Sequence, residues 1–153
     1  MSYTDPAASS EGRPAALDSA LSAVQFVNRH GGWNGMYALE KLRQDDRGTE
    51  WHVQFRQYVG GFMGAFPIVG MRDGSPFGPI DLKLRGRVVT GYERSMAQLR
   101  EVNVMRESVK LPGGEQLRTA WNAFTARSQV ESLFPAYVAV REGDRLVLEP
   151  VWA

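Results

Sequence analysis

The spacing of apolar residues predicts a helix near the start of the chain. Between Ala15 and His30, apolar side chains recur at helical spacing, Pro14 suits the first turn, and Gly31 supplies a stop. We expect one face of this helix to be buried and the opposite face to be solvated. The predicted buried residues are Leu17, Leu21, Val24 and either Val27 or Phe26, and the predicted solvated residues are Asp18, Ser22, Gln25 and Arg29.

Two neighbouring segments predict strands. In residues 51–59, Trp51, Val53 and Phe55 alternate with polar side chains, which indicates one buried face and one polar face. Residues 33–44 fit either a short helix or the first arm of a hairpin. We favour the strand because the following segment supplies a matching second arm.

The middle of the chain predicts further strands separated by a loop. Residues 60–71 are apolar and glycine-rich, and Pro67 indicates a bent or edge strand with a glycine bulge rather than a central ladder position. Residues 73–79 have the composition of a loop. From residue 80 to residue 92 we expect one long strand that is interrupted at Gly86, and this break predicts curvature.

The last third predicts a helix and a hairpin. Residues 115–127 carry apolar residues at helical spacing, with an acid in the first turn and an arginine in the last. Residues 137–141 and 145–148 flank a Glu-Gly-Asp turn and predict a β-hairpin. Within residues 94–110, the part from 102 to 110 fits either helix or strand. Together the elements predict an α+β domain with a mainly antiparallel, strongly curved sheet or partial barrel.

Length and composition fit one globular domain. The chain has 153 residues, of which 43% are hydrophobic and 23% are charged, and a domain of this size can bury a substantial core. Residues 1–14 are small and polar, and such a segment cannot bury enough apolar surface to order itself. We therefore divide the chain into an N-terminal arm, 1–14, that is flexible or bound to a partner, and a single domain, 15–153.

The residue types that most often perform chemistry are scarce. The absence of cysteine excludes disulfides, thiolate metal sites and a cysteine nucleophile, and two histidines are too few for a multi-histidine metal centre. Ser75 lacks the surroundings of a nucleophile elbow, and Asp45, Asp46 and Glu50 have the composition of a turn. We therefore predict no catalytic residue, no metal ligand and no cofactor, and we lean against an enzyme.

The sequence carries no recognisable targeting signal. No uncharged segment is long and continuous enough to span a bilayer as a helix, and the first residues lack the features of a signal peptide. We expect a cytoplasmic location, or a place in a particle assembled there, without membrane contact.

The net charge of +1 hides an uneven distribution. Residues 80–127 contain nine basic and five acidic side chains, whereas both ends of the chain are acidic. Arginine outnumbers lysine by 15 to 3, and arginine suits planar contacts with anionic or protein surfaces. Solvated arginines in a chain of arginine-rich composition explain the same counts.

A polar strand face is the first candidate for partner binding. Lys83, Arg85 and Arg87 alternate along one predicted strand, and a second strand carries a histidine, an arginine and a tyrosine. If these strands are neighbours, they form a basic face with an aromatic ring, which is the chemistry that binds single-stranded nucleic acid. A solvated sheet face or a protein interface explains the same alternation. The predicted set is His52, Arg56, Tyr58, Lys83, Arg85 and Arg87.

An apolar, glycine-rich segment is the second candidate. It lacks the residue spacing of a phosphate-binding loop and of a dinucleotide fingerprint. We interpret it either as closely packed backbone or as a docking loop that inserts into a neighbouring chain. Its residues are Gly60, Gly61, Phe62, Met63 and Gly64.

These features support three hypotheses. The first is a non-catalytic structural or assembly subunit, as in a virion or another multi-subunit particle, that binds other protein chains or copies of itself through its arm, docking loop and arginine-rich face. The second is a single-stranded nucleic-acid-binding protein that uses the basic face. The third is a small-molecule-binding domain or enzyme with a pocket lined by Trp33, Trp51 and Phe62, in which His52 is the first acid–base candidate.

Overall fold

A computed structural model describes the chain over residues 16–61, 64–75, 77, 79–95, 111, 113–125 and 132–153. These ranges contain two helices and seven strands, and neither of the two described helices is long and apolar enough to cross a membrane. In chain order the elements are α1 (Ala16–Arg29), β1 (Met36–Gln44), β2 (Trp51–Gly61), β3 (Gly64–Met71), β4 (Ile80–Arg85), β5 (Val88–Arg94), α2 (Glu115–Thr125), β6 (Pro135–Glu142) and β7 (Arg145–Trp152).

The described strands form one open, mixed sheet. Its order is β5-β4-β2-β3-β6-β7, and β1 also pairs with β2. The pairing of β3 with β6 is parallel, and the other pairings are antiparallel. β2 is the central strand, because β1 follows one of its edges while β4 and β3 share the other. The structure therefore confirms an α+β fold with a mainly antiparallel sheet that does not close into a barrel.

One face of the sheet packs against α1. Alternate residues of β2 and β4 point toward the helix, and Val53, Phe55 and Leu82 are almost completely buried there. They belong to the same apolar cluster as Ala23 and Val27 of the helix. Removal of this apolar surface from water stabilises the docking of α1 on the sheet.

The predicted buried face of α1 is wrong in part. The buried stripe consists of Ser19, Ala23 and Val27, whereas Leu17 and Leu21 are 68% and 51% exposed. Small side chains let a helix approach a sheet closely, so close packing selects the stripe that contains them over the stripe with the largest apolar residues. Of the predicted face, Val27 is buried and Val24 and Phe26 pack at the margin of the cluster.

Residues 80–92 form a hairpin rather than the single long strand that their alternation predicts. β4 ends at Arg85, Gly86 and Arg87 form the turn, and β5 begins at Val88. Gly86 has a φ of 62°, a left-handed conformation that glycine adopts without steric cost. The glycine therefore reverses the chain instead of bending a strand.

The edge-strand alternative for residues 60–71 is wrong, because β3 lies between β2 and β6, and its partner changes after Pro67. Pro67 is opposite Tyr58 of β2, and the next residue, Ile68, is opposite Tyr137 of β6. Proline has no N–H to donate to a ladder, and Pro67 lies at the end of the β2–β3 ladder, where the missing donor interrupts the fewest hydrogen bonds. The register with β6 shifts between Ile68 and Gly70, so the ladder is irregular next to the change of partner.

The structure confirms three further elements. β1 resolves the ambiguity of residues 33–44 in favour of a strand, α2 lies within the predicted helix 115–127, and β6 and β7 form the predicted C-terminal hairpin. The N-terminal arm, 1–14, and the ambiguous residues 102–110 lie outside the described part of the chain. The predicted division into an arm and one domain stays a prediction.

A second apolar cluster lies between β3 and the β6–β7 hairpin. Ile68, Phe77 and Ala139 are buried in it. Val59, near the end of β2, packs against its margin. β2 therefore contributes side chains to both apolar clusters.

Two leucine-to-alanine substitutions test the observed orientation of α1. Leu84 lies in β4, in the apolar cluster that α1 covers, and is 0% exposed. We expect Leu84→Ala to lower the free energy of unfolding by roughly 3 kcal/mol because a cavity remains. Leu21→Ala, on the exposed side of α1, should change it by less than about 0.5 kcal/mol. Urea unfolding followed by tryptophan fluorescence measures both values. A comparable loss for Leu21→Ala contradicts this orientation.

Candidate functional site

The two strands that carry the predicted polar face are neighbours. β2 pairs with β4, and His52 lies directly opposite Lys83 in their register. On the other edge of β2, Arg43 of β1 is opposite His52, so three basic side chains form a row across the sheet. Arg56 and Tyr58 follow His52 at alternate positions of β2, on the face that α1 does not cover.

Acidic residues interrupt this face. In the row beside the basic one, Gln54 is opposite Asp81, and Asp81 is opposite Glu93. Burial, followed by the nearby Glu93 carboxylate, raises the pKa of Asp81 above its usual value. Lys41 of β1 is opposite Gln54 in the same row, so this row has an acidic excess without being purely acidic, and the sheet face is not uniformly basic.

Glu50 lies among the basic residues at one end of the face. Its Oε2 atom is 4.0 Å from Nε2 of His52, and its Oε1 atom is 3.7 Å from Nε of Arg85. Thr90 donates a hydrogen bond of 2.9 Å to the same carboxylate. Glu50 thus neutralises part of the positive charge that the sequence predicts here.

Arg87 does not join the other predicted residues. It lies in the β4–β5 turn, and its Nη2 atom is 3.9 Å from Oδ2 of Asp18 in α1. Arg87 therefore reaches toward the helix side of the sheet. The expectation that Lys83, Arg85 and Arg87 share one strand is wrong, because the chain reverses at Gly86 directly after Arg85.

Arg56 and Tyr58 line an open groove of about 390 Å³ that crosses the sheet from β1 to the start of β6. The Arg56 guanidinium forms an ion pair with Glu40 of β1, and its Nη1 atom lies 3.4 Å from the carbonyl oxygen of Ile68. Its Nε atom is buried and has no hydrogen-bond partner among the described residues. The other residues that line the groove are Ala65, Phe66, Pro67, Phe134 and Pro135.

Backbone pairing and ring packing position the aromatic residues of the groove. Phe134 exchanges two backbone hydrogen bonds of 3.0 Å with Ala153, which extends the β6–β7 ladder by one residue pair. Phe134 is nevertheless 39% exposed as a whole residue. Phe66 packs edge-on against Tyr137, with 6.3 Å between the ring centroids. The lining of the groove therefore combines aromatic residues with a charged pair.

The described residues of the predicted docking loop lie at the end of the β2–β3 ladder. Gly60 and Gly61 end β2, Gly64 begins β3, and Gly61 is opposite Gly64 in the register. Phe62 and Met63 lie outside the described residues. The docking role of this loop stays a prediction.

The tryptophans of the predicted pocket pack on the other side of the sheet. Trp33 and Trp51 both contact the apolar cluster between α1 and the sheet. The Trp33 ring meets Phe55 edge-on with 5.1 Å between centroids, and its Nε1 donates a hydrogen bond of 2.6 Å to Oδ1 of Asn28. These two side chains are partly buried against the core and do not line the groove. The third predicted residue, Phe62, lies outside the described part.

Asp45 has the turn-forming role that the sequence indicates. Its carboxylate accepts hydrogen bonds from the Thr49 N–H at 2.6 Å, the Thr49 hydroxyl at 2.8 Å and the Glu50 N–H at 2.9 Å. These bonds, that from Glu50 first, lower the pKa of Asp45. The carboxylate is therefore committed to the connection between β1 and β2.

Sequence patterns do not indicate three of the groove residues. Glu40 lies in β1, Phe66 lies in β3, and Phe134 directly precedes β6. The pairing of β1 with β2 brings Glu40 beside Arg56, the β2–β3 hairpin brings Phe66, and the parallel pairing of β3 with β6 brings Phe134. A parallel pairing joins segments that are distant in sequence, and no local pattern encodes which segments those are.

The fold and the groove define a small α+β domain in which one face of the sheet packs on a helix and the other presents an aromatic groove. The family model described as YycH protein, C-terminal domain, matches residues 2–153, so the chain belongs to this family. No curated protein and no solved structure matches the chain significantly. Family membership supports protein partners in general, in agreement with the predicted binding to other protein chains.

Asp81→Asn tests the electrostatics of the acidic row. Because burial and Glu93 raise the pKa of Asp81, the folded state holds the proton more tightly than the unfolded state does, and this stabilisation is lost as the pH rises through the raised pKa. At neutral pH we therefore expect Asp81→Asn to raise the urea midpoint. The difference from the parent chain should shrink as the pH falls below the ordinary aspartate pKa of 3.8.

Asp46→Asn is the matched control, because it makes the same charge change in the exposed β1–β2 turn. Its urea midpoint should stay close to that of the parent chain across the same pH range. A midpoint for Asp81→Asn below that of the parent chain at neutral pH contradicts the proposed electrostatics.

Proposed function

We propose that this chain is a non-catalytic domain that binds a partner protein through the groove and the sheet face around it. The observation that carries the proposal is the groove, whose lining includes aromatic residues together with the Arg56–Glu40 ion pair. Aromatic residues and arginine supply much of the binding energy at protein interfaces. An open groove across several strands suits the side chains of a protein better than a small molecule, which is usually enclosed.

The family adds a regulatory role to this proposal. The YycH protein modulates a kinase, and its C-terminal domain is the model that matches this chain. We infer that this domain regulates its partner by binding it. The N-terminal arm, 1–14, and the docking loop are proposed as further contacts, and a multi-subunit assembly is their proposed setting.

The surface charges favour a protein over a nucleic acid as the partner. A phosphate backbone on the basic row would lie beside Asp81 and Glu93, and the Arg56 guanidinium is already paired with Glu40. Repulsion from these carboxylates opposes the phosphate attraction on which nucleic-acid binding depends. A protein surface carries both signs of charge and can complement the alternating rows.

Site-specific photo-cross-linking tests the proposal. A benzoylphenylalanine in place of Phe134 puts a reactive ring in the groove, and we expect it to yield a discrete cross-linked protein in the cells from which the chain derives. Adding Tyr58→Ala should lower the yield about tenfold or more, because removal of a central aromatic contact weakens an interface strongly. Gel mobility and mass spectrometry measure the product.

The same substitution at Leu146 is the control, since Leu146 is 37% exposed, close to the 39% of Phe134, but lies at the far end of β7. It should yield little of the product. The absence of a discrete product at Phe134, or equal yields at both positions, contradicts the proposed function. Unfolding of the Tyr58→Ala chain is measured in parallel, so that a loss of fold is not mistaken for a loss of binding.

A further inference from the structure

The outer edge of β1 is open in the described part of the structure. β1 pairs with β2 along one edge, and none of the described strands pairs with the other. An open edge presents unpaired backbone N–H and C=O groups, and an extended strand is their complementary partner. Glu40 of β1 also lines the groove, so this edge is continuous with the proposed binding surface.

The two halves of β1 differ in chemistry. In the first half, Met36 and Leu39 are 53% and 47% exposed. The second half carries the exposed cations Lys41 and Arg43, and neither has a carboxylate within ion-pair distance in the ranges that the structure covers. The ladder with β2 shifts register between Leu39 and Lys41, so an irregularity at Glu40 separates the two halves.

A second copy of this chain is a poor occupant of the edge. In antiparallel self-pairing, the apolar half of one copy lies against Lys41 and Arg43 of the other. In parallel self-pairing, each of these cations lies beside its own counterpart, and like charges on neighbouring strands are destabilising. A different chain can complement both halves at once.

We propose that the outer edge of β1 binds an extended strand of a different protein, with apolar side chains beside Met36 and Leu39 and carboxylates beside Lys41 and Arg43. Backbone hydrogen bonds supply the pairing, and alternate side chains supply the selectivity. This inference rests on the proposed protein-binding function and specifies the form in which the partner is bound.

Synthetic peptides of about eight residues, the length of an ordinary strand, test the proposal. One peptide has valine and isoleucine in its first half and glutamate alternating with threonine in its second half. Another has the reverse order, so that both strand directions are sampled. We expect one of them to bind the full chain in a fluorescence polarisation measurement.

Charge reversal on the edge should weaken this binding. In the double variant Lys41→Glu, Arg43→Glu we expect the affinity to fall about tenfold or more, because each lost attraction is replaced by a repulsion. The double variant Arg141→Glu, Arg145→Glu makes the same charge change on the exposed end of the β6–β7 hairpin. Its affinity for the peptide should equal that of the parent chain.

N-methylated peptides distinguish strand pairing from nonspecific binding, and they require no change in the protein. Pairing with one strand edge uses every second amide of the added strand. Methylation of one alternate set of amides should therefore abolish binding, and methylation of the other set should leave it intact. Hydrogen exchange at the outward-facing amides of residues 36–44 should slow in the complex.

The proposal is overturned if neither peptide binds or if both methylated sets behave alike. It is also overturned if the chain alone forms a dimer that Leu39→Glu abolishes, since the occupant is then a second copy. If the peptides fail while the cross-link at Phe134 succeeds, the strand proposal falls and the proposed function stands. If neither the peptides bind nor the cross-link at Phe134 forms, the strand proposal and the proposed function are both contradicted.

Discussion

The backbone ladders of β2 hold the described sheet together. β2 pairs with β1 along one edge and divides its other edge between β4 and β3. Backbone groups buried in a sheet have to be hydrogen-bonded, so a strand that serves three partners fixes the positions of all three. The alternation of β2 then sends Val53 and Phe55 toward α1 and sends Arg56 and Tyr58 toward the groove. The core and the candidate site depend on the same register.

Local patterns predict those elements in which burial of one face determines the positions of the apolar residues. β2 and β4 are predictable because burial of one face requires an apolar residue at every second position. The pattern fails at Gly86, because the alternation continues on both sides of a short turn and does not itself reveal the reversal. It also fails on α1, where the small residues Ser19 and Ala23 form the contact and the larger Leu17 and Leu21 remain exposed.

The candidate site shows the same division between local and non-local information. Arg56 and Tyr58 are predictable because they alternate with core residues on a single strand. Glu40, Phe66 and Phe134 join them through pairings between strands, above all the parallel pairing of β3 with β6. The charge of the surface also depends on pairing between strands. Alternation along single strands predicts a basic face, whereas the strand register puts acidic residues directly beside the basic ones.

The change of partner along β3 has a mechanical consequence. The groove spans the seam at which β3 leaves β2 and joins β6, with Tyr58 on one side of the seam and Phe134 on the other. The angle between the two parts of the sheet therefore sets the separation of these two rings. The separation of the two rings therefore depends on the packing of both apolar clusters, one on each side of the seam.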